Sequence, residues 1–112
     1  MKIAIIGSRT FNDYEKVKKV LDTFPKIDLI VSGGAKGADY LGELYAYHNN
    51  IPKKIFYPEW DKYGKSAGFK RNKDIVDNAD IIVAFWDGIS NGTKNSINLA
   101  KKYNKKVIIK KF

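Results

Sequence analysis

The sequence predicts an α/β fold: a Rossmann-like three-layer sandwich, with a five-stranded parallel sheet in the order 3-2-1-4-5 and four helices. Three observations predict it. Five short apolar runs rich in β-branched residues alternate strictly with four amphipathic patterns. Such alternation builds a parallel sheet through right-handed crossovers. Two of the runs, Ala4-Ile5-Ile6 and Ile81-Ile82-Val83-Ala84-Phe85, are apolar at every position, as strands covered on both faces must be. The glycine-rich and polar motifs fall after strands, and in such a sheet those loops all open at one edge.

The first strand is read over Lys2–Ile6. A helix follows, with Tyr14, Val17, Val20, Leu21 and Phe24 on one face and Asn12 and Asp13 as capping residues. Leu29–Ser32 is the second strand, and Ala38, Leu41, Leu44, Tyr45 and His48 mark the second helix. Lys54–Tyr57 is the third strand, followed by a helix bearing Gly68, Asn72, Ile75, Val76 and Ala79. Ile81–Trp86 is the fourth strand. Asp87–Asn95 reads as a loop because Gly88, Asn91 and Gly92 punctuate it. Ile97, Ala100 and Tyr103 mark the last helix, and Val107–Lys110 the last strand.

A chain of 112 residues has room for one domain, taken as 1–112. No run reaches the length of a membrane span or of a signal-peptide apolar region, so a cytoplasmic location without membrane contact is expected. With no cysteine and a single histidine, His48, the sequence supports neither a metal centre nor a Ser-His-Asp arrangement, and no cofactor is expected. His48 lies at helical spacing near a helix end and reads as structural.

The net charge of +9 suggests a polyanionic partner. Its distribution weakens that reading. Lys101, Lys102, Lys105, Lys106, Lys110 and Lys111 crowd the last dozen residues, whereas residues 1–99 carry 15 basic and 12 acidic side chains. A solvated face, partly complementing a helix dipole, accounts for the lysines. Nucleic acid therefore ranks below a small molecule as a partner.

Nineteen of the basic residues are lysines, and the two arginines sit in glycine-containing motifs: Gly7-Ser8-Arg9 and Ala67-Gly68-Phe69-Lys70-Arg71-Asn72. A planar, bidentate cation suits a fixed grip on phosphate or carboxylate, or a structural ion pair. Ser32-Gly33-Gly34-Ala35-Lys36-Gly37-Ala38-Asp39 leads into the second helix. Its glycines allow close approach, and the helix start offers amide groups to an anion. A turn required only for packing fits the same residues. The spacing matches neither Walker A nor G-x-G-x-x-G. Asp87-Gly88-Ile89-Ser90-Asn91-Gly92-Thr93 repeats the logic before the last helix, with Thr93 as a cap and phosphate donor. Trp60, in a polar loop, is the candidate for stacking on a base. Trp86, ending a buried strand, reads as core. Asp39 and Asp87 suit either ribose hydroxyls or local turn capping.

Taken together, Gly7-Ser8-Arg9, Ser32–Asp39, Ala67-Gly68 with Arg71-Asn72, and Phe85-Trp86-Asp87-Gly88 with Ser90-Asn91-Gly92-Thr93 resemble the small YspA-like branch of the SLOG superfamily. This resemblance implies a Rossmann-like domain, distantly related to Lonely guy enzymes and DNA-processing protein A, and a nucleotide-related ligand on the Gly33–Gly37 and Gly92–Thr93 loops. Lonely guy enzymes carry a catalytic glutamate three residues after the threonine of their Gly-Thr motif. Here that position is Ser96. The leading expectation is thus a binding protein for a nucleotide-derived, phosphate-bearing small molecule, acting as a sensor or, in a phage, as a sequestering protein. A homodimer or higher homo-oligomer is expected. The alternatives are a nucleotide N-glycosidase using Glu59 or Asp87, and a single-stranded nucleic-acid binder using the C-terminal lysines.

Overall fold

The computed structural model describes all of residues 1–112. Its strands are β1 (Lys2–Gly7), β2 (Leu29–Ser32), β3 (Lys53–Ile55), β4 (Ile81–Trp86) and β5 (Lys106–Lys111). They form one parallel sheet in the order β3-β2-β1-β4-β5. The helices are α1 (Tyr14–Leu21), α2 (Ala38–His48), α3 (Trp60–Tyr63), α4 (Ala67–Asp77) and α5 (Asn91–Lys102).

The period-2 alternation of strand side chains divides the core into two layers. On one face, Ile3 and Ile5 of β1 and Ile30 of β2 pack with Val17 and Leu21 of α1 and with Ala38, Leu41, Tyr45 and Ala46 of α2. On the other, Ala4, Ile6, Val31, Ile82 and Ala84 meet Ile75 and Val76 of α4 and Ile97 and Ala100 of α5. β1 therefore lies in the middle, buried on both sides. That explains why Ala4-Ile5-Ile6 has no polar position. The helices change face where the chain passes from β1–β3 to β4–β5, which opens a crevice beyond the ends of β1 and β4.

Both edge strands are rich in lysine, with Lys53 and Lys54 on β3 and Lys106, Lys110 and Lys111 on β5. Charged edges block pairing with another sheet. Several C-terminal lysines also have local partners. Lys105 donates to the Ala79 carbonyl at 2.9 Å, and Lys111 lies 5.5 Å above the Trp86 ring. No helix is long and apolar enough to cross a membrane.

Element ends shift slightly from the sequence reading, with β3 closing at Ile55 and not Tyr57 and α1 at Leu21, short of Phe24, and two elements differ more substantially. Helix α5 begins at Asn91, inside the stretch read as a loop, with Ser90 at the N-cap position. Gly92 does not break it, because a first helical turn has no preceding turn to pack against. Thr93 is accordingly a buried residue of that turn and not the cap. The segment around Trp60 forms the one-turn helix α3, continued by a 3-10 turn at Gly64–Ser66. It has no buried residue, so apolar periodicity carries no trace of it.

Candidate functional site

The crevice at the β1–β4 switch is a cleft of about 600 Å³, within the range of roughly 300–1,000 Å³ usual for small-molecule sites. Gly7, Ser8 and Arg9 line it from the end of β1, and Gly33, Gly34, Ala35 and Asp39 from the loop into α2. Trp60, Arg71 and Asn72 line it from α3 and α4, and Asp87, Ser90, Gly92 and Thr93 from the loop into α5. Ser32, Gly37 and Gly88 do not reach it. Ser32 lies beneath, its hydroxyl 2.6 Å from Glu43 Oε2 and 3.2 Å from the Gly34 amide. Gly37 has φ +79, and a Cβ there would lie 2.3 Å from the Ser8 carbonyl oxygen. It allows the two loops to touch. Gly88, at φ +84, turns the β4–α5 loop. Lys65 and Phe69 also line the cleft. They had no sequence signal, because one is a lysine among nineteen and the other sits on an exposed helical face.

The glycine loop is closed by the protein itself. Asp39 is 5% exposed. Its carboxylate accepts from the Gly33 amide at 3.0 Å and also bonds the Ala35 amide. The Ser32 hydroxyl takes the Gly34 amide. Within the loop over which a phosphate was expected, the Gly33 and Gly34 amides are thus already satisfied. Arg71 holds the same loop from the other side. Its guanidinium donates to the Gly33 carbonyl and, at 3.1 Å, to Asn72 Oδ1. A Cβ on Gly33 would meet Arg71 Nη1 at 2.7 Å and Asp39 Oδ2 at 2.8 Å, so a larger residue there would have to displace both side chains. Asn72 is buried and donates to the Gly92 carbonyl at 3.3 Å and to Asn95 Oδ1 at 3.1 Å. It ties Arg71 to the start of α5.

Burial pushes the Asp39 carboxyl up to about 6, against the opposing pull of Arg71 and the Gly33 and Ala35 amides. An unfolded chain holds it near 3.8. The folded state therefore binds the proton more tightly. The contribution to stability is full below pH 4 and is lost as pH rises through about 6. Two units correspond to at most about 3 kcal/mol. Melting curves from pH 4 to 7 are expected to show the wild type losing stability relative to Asp39→Asn, whose amide does not titrate in this range. Parallel curves would refute that assignment.

Asp87 is bound up differently. Its Oδ1 accepts from the Ile89 and Ser90 amides, both at 2.8 Å, and Oδ2 from the Ser90 hydroxyl at 3.0 Å. Those donors hold its carboxyl down at about 2. The Ser8 hydroxyl accepts from the Asp87 amide at 3.1 Å and lies 3.1 Å from Ser90 Oγ. The β1 and β4 loops are locked together by these contacts. Of the two readings of Asp87, turn capping is the one its geometry occupies.

Arg9 contrasts with Arg71. It is exposed in the cleft, and its guanidinium has no hydrogen-bonding or ion-pair partner. The ion pairs of the chain lie elsewhere, at Met1–Asp28, Lys18–Asp22, Lys26–Asp28 and Lys73–Asp77. The backbone amides of Arg9 and Thr10, and those of Asn91, Gly92 and Thr93 at the start of α5, make no intramolecular hydrogen bond. The positive end of α5 and this free guanidinium line the same cleft.

Trp60 is 56% exposed and lies against the first turn of α4, with the indole tip 3.7 Å from where a Cβ on Gly68 would sit. More than half of its surface is open to solvent. Trp86 donates its indole N–H to the Ser90 carbonyl at 3.1 Å and has no place in the cleft lining. Glu59 is exposed and outside the lining, whereas Ser96 is buried on it. His48 is remote, edge-on to Tyr14 and Tyr47. No group of histidine and acidic side chains is placed to hold a metal ion.

A model of the YspA, cpYpsA-related SLOG family matches residues 1–63. The Gene 61 protein of Mycobacterium phage D29 is 31% identical over 111 residues, covering 90% of this chain and 89% of that protein. Among solved structures, DNA processing protein A from Streptococcus pneumoniae has a similar fold, with a TM-score of 0.81 at 21% identity over 96% of this chain. The match covers 49% of that protein, so this chain corresponds to about half of it.

Proposed function

The chain belongs to the YspA, cpYpsA-related SLOG family, and from that premise we propose that it binds a nucleotide-derived, phosphate-bearing small molecule in the cleft at the β1–β4 switch. One observation carries the reading. Arg9 is a guanidinium without a partner, and it shares the cleft with the unbonded amides of Arg9, Thr10, Gly92 and Thr93. A phosphate supplies the acceptors that these donors lack. Trp60, an exposed indole on the cleft lining, is the aromatic offered to a base. Sensing and, in a phage setting, sequestration both follow from such binding.

Hydrolysis of an N-glycosidic bond has less support. Both carboxylates that line the cleft, Asp39 and Asp87, are engaged by backbone amides. Asp87 is also too weak a base, at about 2, to take a proton near neutral pH. Glu59 lies outside the lining. Nucleic-acid binding through the C-terminal lysines rests on charge alone.

A thermal-shift panel of AMP, ADP-ribose, NAD, cyclic ADP-ribose isomers and cyclic dinucleotides tests the reading. A ligand at a hundredfold excess over its dissociation constant adds about 2.7 kcal/mol to stability. For a chain of this length that raises the melting temperature by roughly 10 °C. A flat response to the whole panel at millimolar concentration would sink the proposal.

A further inference from the structure

Five charged side chains line the cleft: Arg9, Asp39, Lys65, Arg71 and Asp87. Three are consumed within the protein. Asp39 is held by the Gly33 and Ala35 amides, and Asp87 by the Ile89 and Ser90 amides. Arg71 is held by the Gly33 carbonyl and Asn72. The two that remain are both cations, and neither has an acceptor. They enter from different parts of the fold. Arg9 follows β1, whereas Lys65 lies in the 3-10 turn between Trp60 and Phe69, the two exposed aromatics of the lining.

We propose that the ligand carries two separate anionic groups, one met by Arg9 and the start of α5 and the other by Lys65, with its base on the Trp60 face. The inference rests on the nucleotide reading above and narrows it. A nucleoside monophosphate leaves Lys65 without an acceptor, and a contiguous diphosphate concentrates its charge at the Arg9 end. Two phosphates separated by a ribose match two cations on different elements. Lys65 is then the specificity-determining residue, and Arg9 is the anchor common to all phosphate-bearing ligands.

Calorimetric titration with AMP, ADP, adenosine 3′,5′-bisphosphate and cyclic di-AMP tests this. At least one of the two ligands with separated phosphates is expected to bind about tenfold tighter than both AMP and ADP, the scale of one exposed charge-assisted contact. Lys65→Gln should remove that advantage while weakening AMP far less. Lys65 lies on an exposed turn that buries no residue, so the variant is expected to fold, which a melting curve checks. Equal affinities for all four, or a Lys65→Gln loss shared equally by AMP, would overturn the inference and leave the nucleotide reading standing. Failure of all four to bind would overturn the inference, and the wider panel above would then decide the nucleotide reading.

Discussion

Arg9→Ala is expected to weaken binding of the phosphate-bearing ligand by roughly 1.5–3 kcal/mol, about 10- to 150-fold, the scale of a charge-assisted hydrogen bond. The melting temperature of the ligand-free protein should not change. That pairing of effects follows from the structure, in which the guanidinium touches no acceptor whose loss the fold would register. Arg9→Lys retains the charge but loses the planar fork. It should recover only part of the affinity if the contact is bidentate. Lys19→Ala, on the exposed face of α1, is the control and should bind as the wild type does. Calorimetry beside melting curves measures both quantities. A folded Arg9→Ala protein with unchanged affinity would remove Arg9 from the site.

Arg71→Ala is expected to do the reverse, lowering the stability of the ligand-free protein by about 2–3 kcal/mol and its melting temperature by roughly 10 °C. The variant strips the buried Gly33 carbonyl and Asn72 Oδ1 of their donor. It also removes the charge that opposes the upward shift of Asp39. Without it the Asp39 carboxyl rises above about 6, so the loss is larger at pH 7 than at pH 5. Because Asp39 and Arg71 flank the same glycine, Asp39→Asn combined with Arg71→Ala should cost less than the sum of the two single changes. Denaturant melts of the four proteins at both pH values check this. Additive losses independent of pH would mean that the two side chains do not cooperate.

The contrast between the arginines bears on how far sequence reasoning reaches. Arg9 and Arg71 look alike in sequence, each a rare guanidinium in a glycine-containing motif. One is open and the other is built into the loop beside it. The partners of Arg71 make the difference, and Gly33 is 38 residues away. The same holds for Asp39. Its place after Gly37 is legible, but that its carboxylate turns back onto the Gly33 and Ala35 amides, filling a position read as open to phosphate, is not. Lys65 was invisible for a related reason. Its significance lies in having no acceptor while its neighbours do, and a lack of partners is a property of three-dimensional surroundings.

What the sequence alone determined is the order of layers and the edge at which a site must lie. Side-chain periodicity is a local property: alternation in strands and 3.6-residue recurrence in helices set which face each residue shows, and β-branched runs on both faces require central parallel strands. From that alternation a parallel doubly wound sheet follows without knowledge of any contact, and the order 3-2-1-4-5 expected for it, with its crevice at the β1–β4 switch, is the one observed. Only the tertiary structure decided which polar groups in the crevice are spent and which are free. Hydrogen bonds and charge interactions depend on separations of a few ångströms between residues far apart in the chain. No local pattern encodes those separations, and they leave Arg9, Lys65 and the first amides of α5 as the groups still available to a ligand.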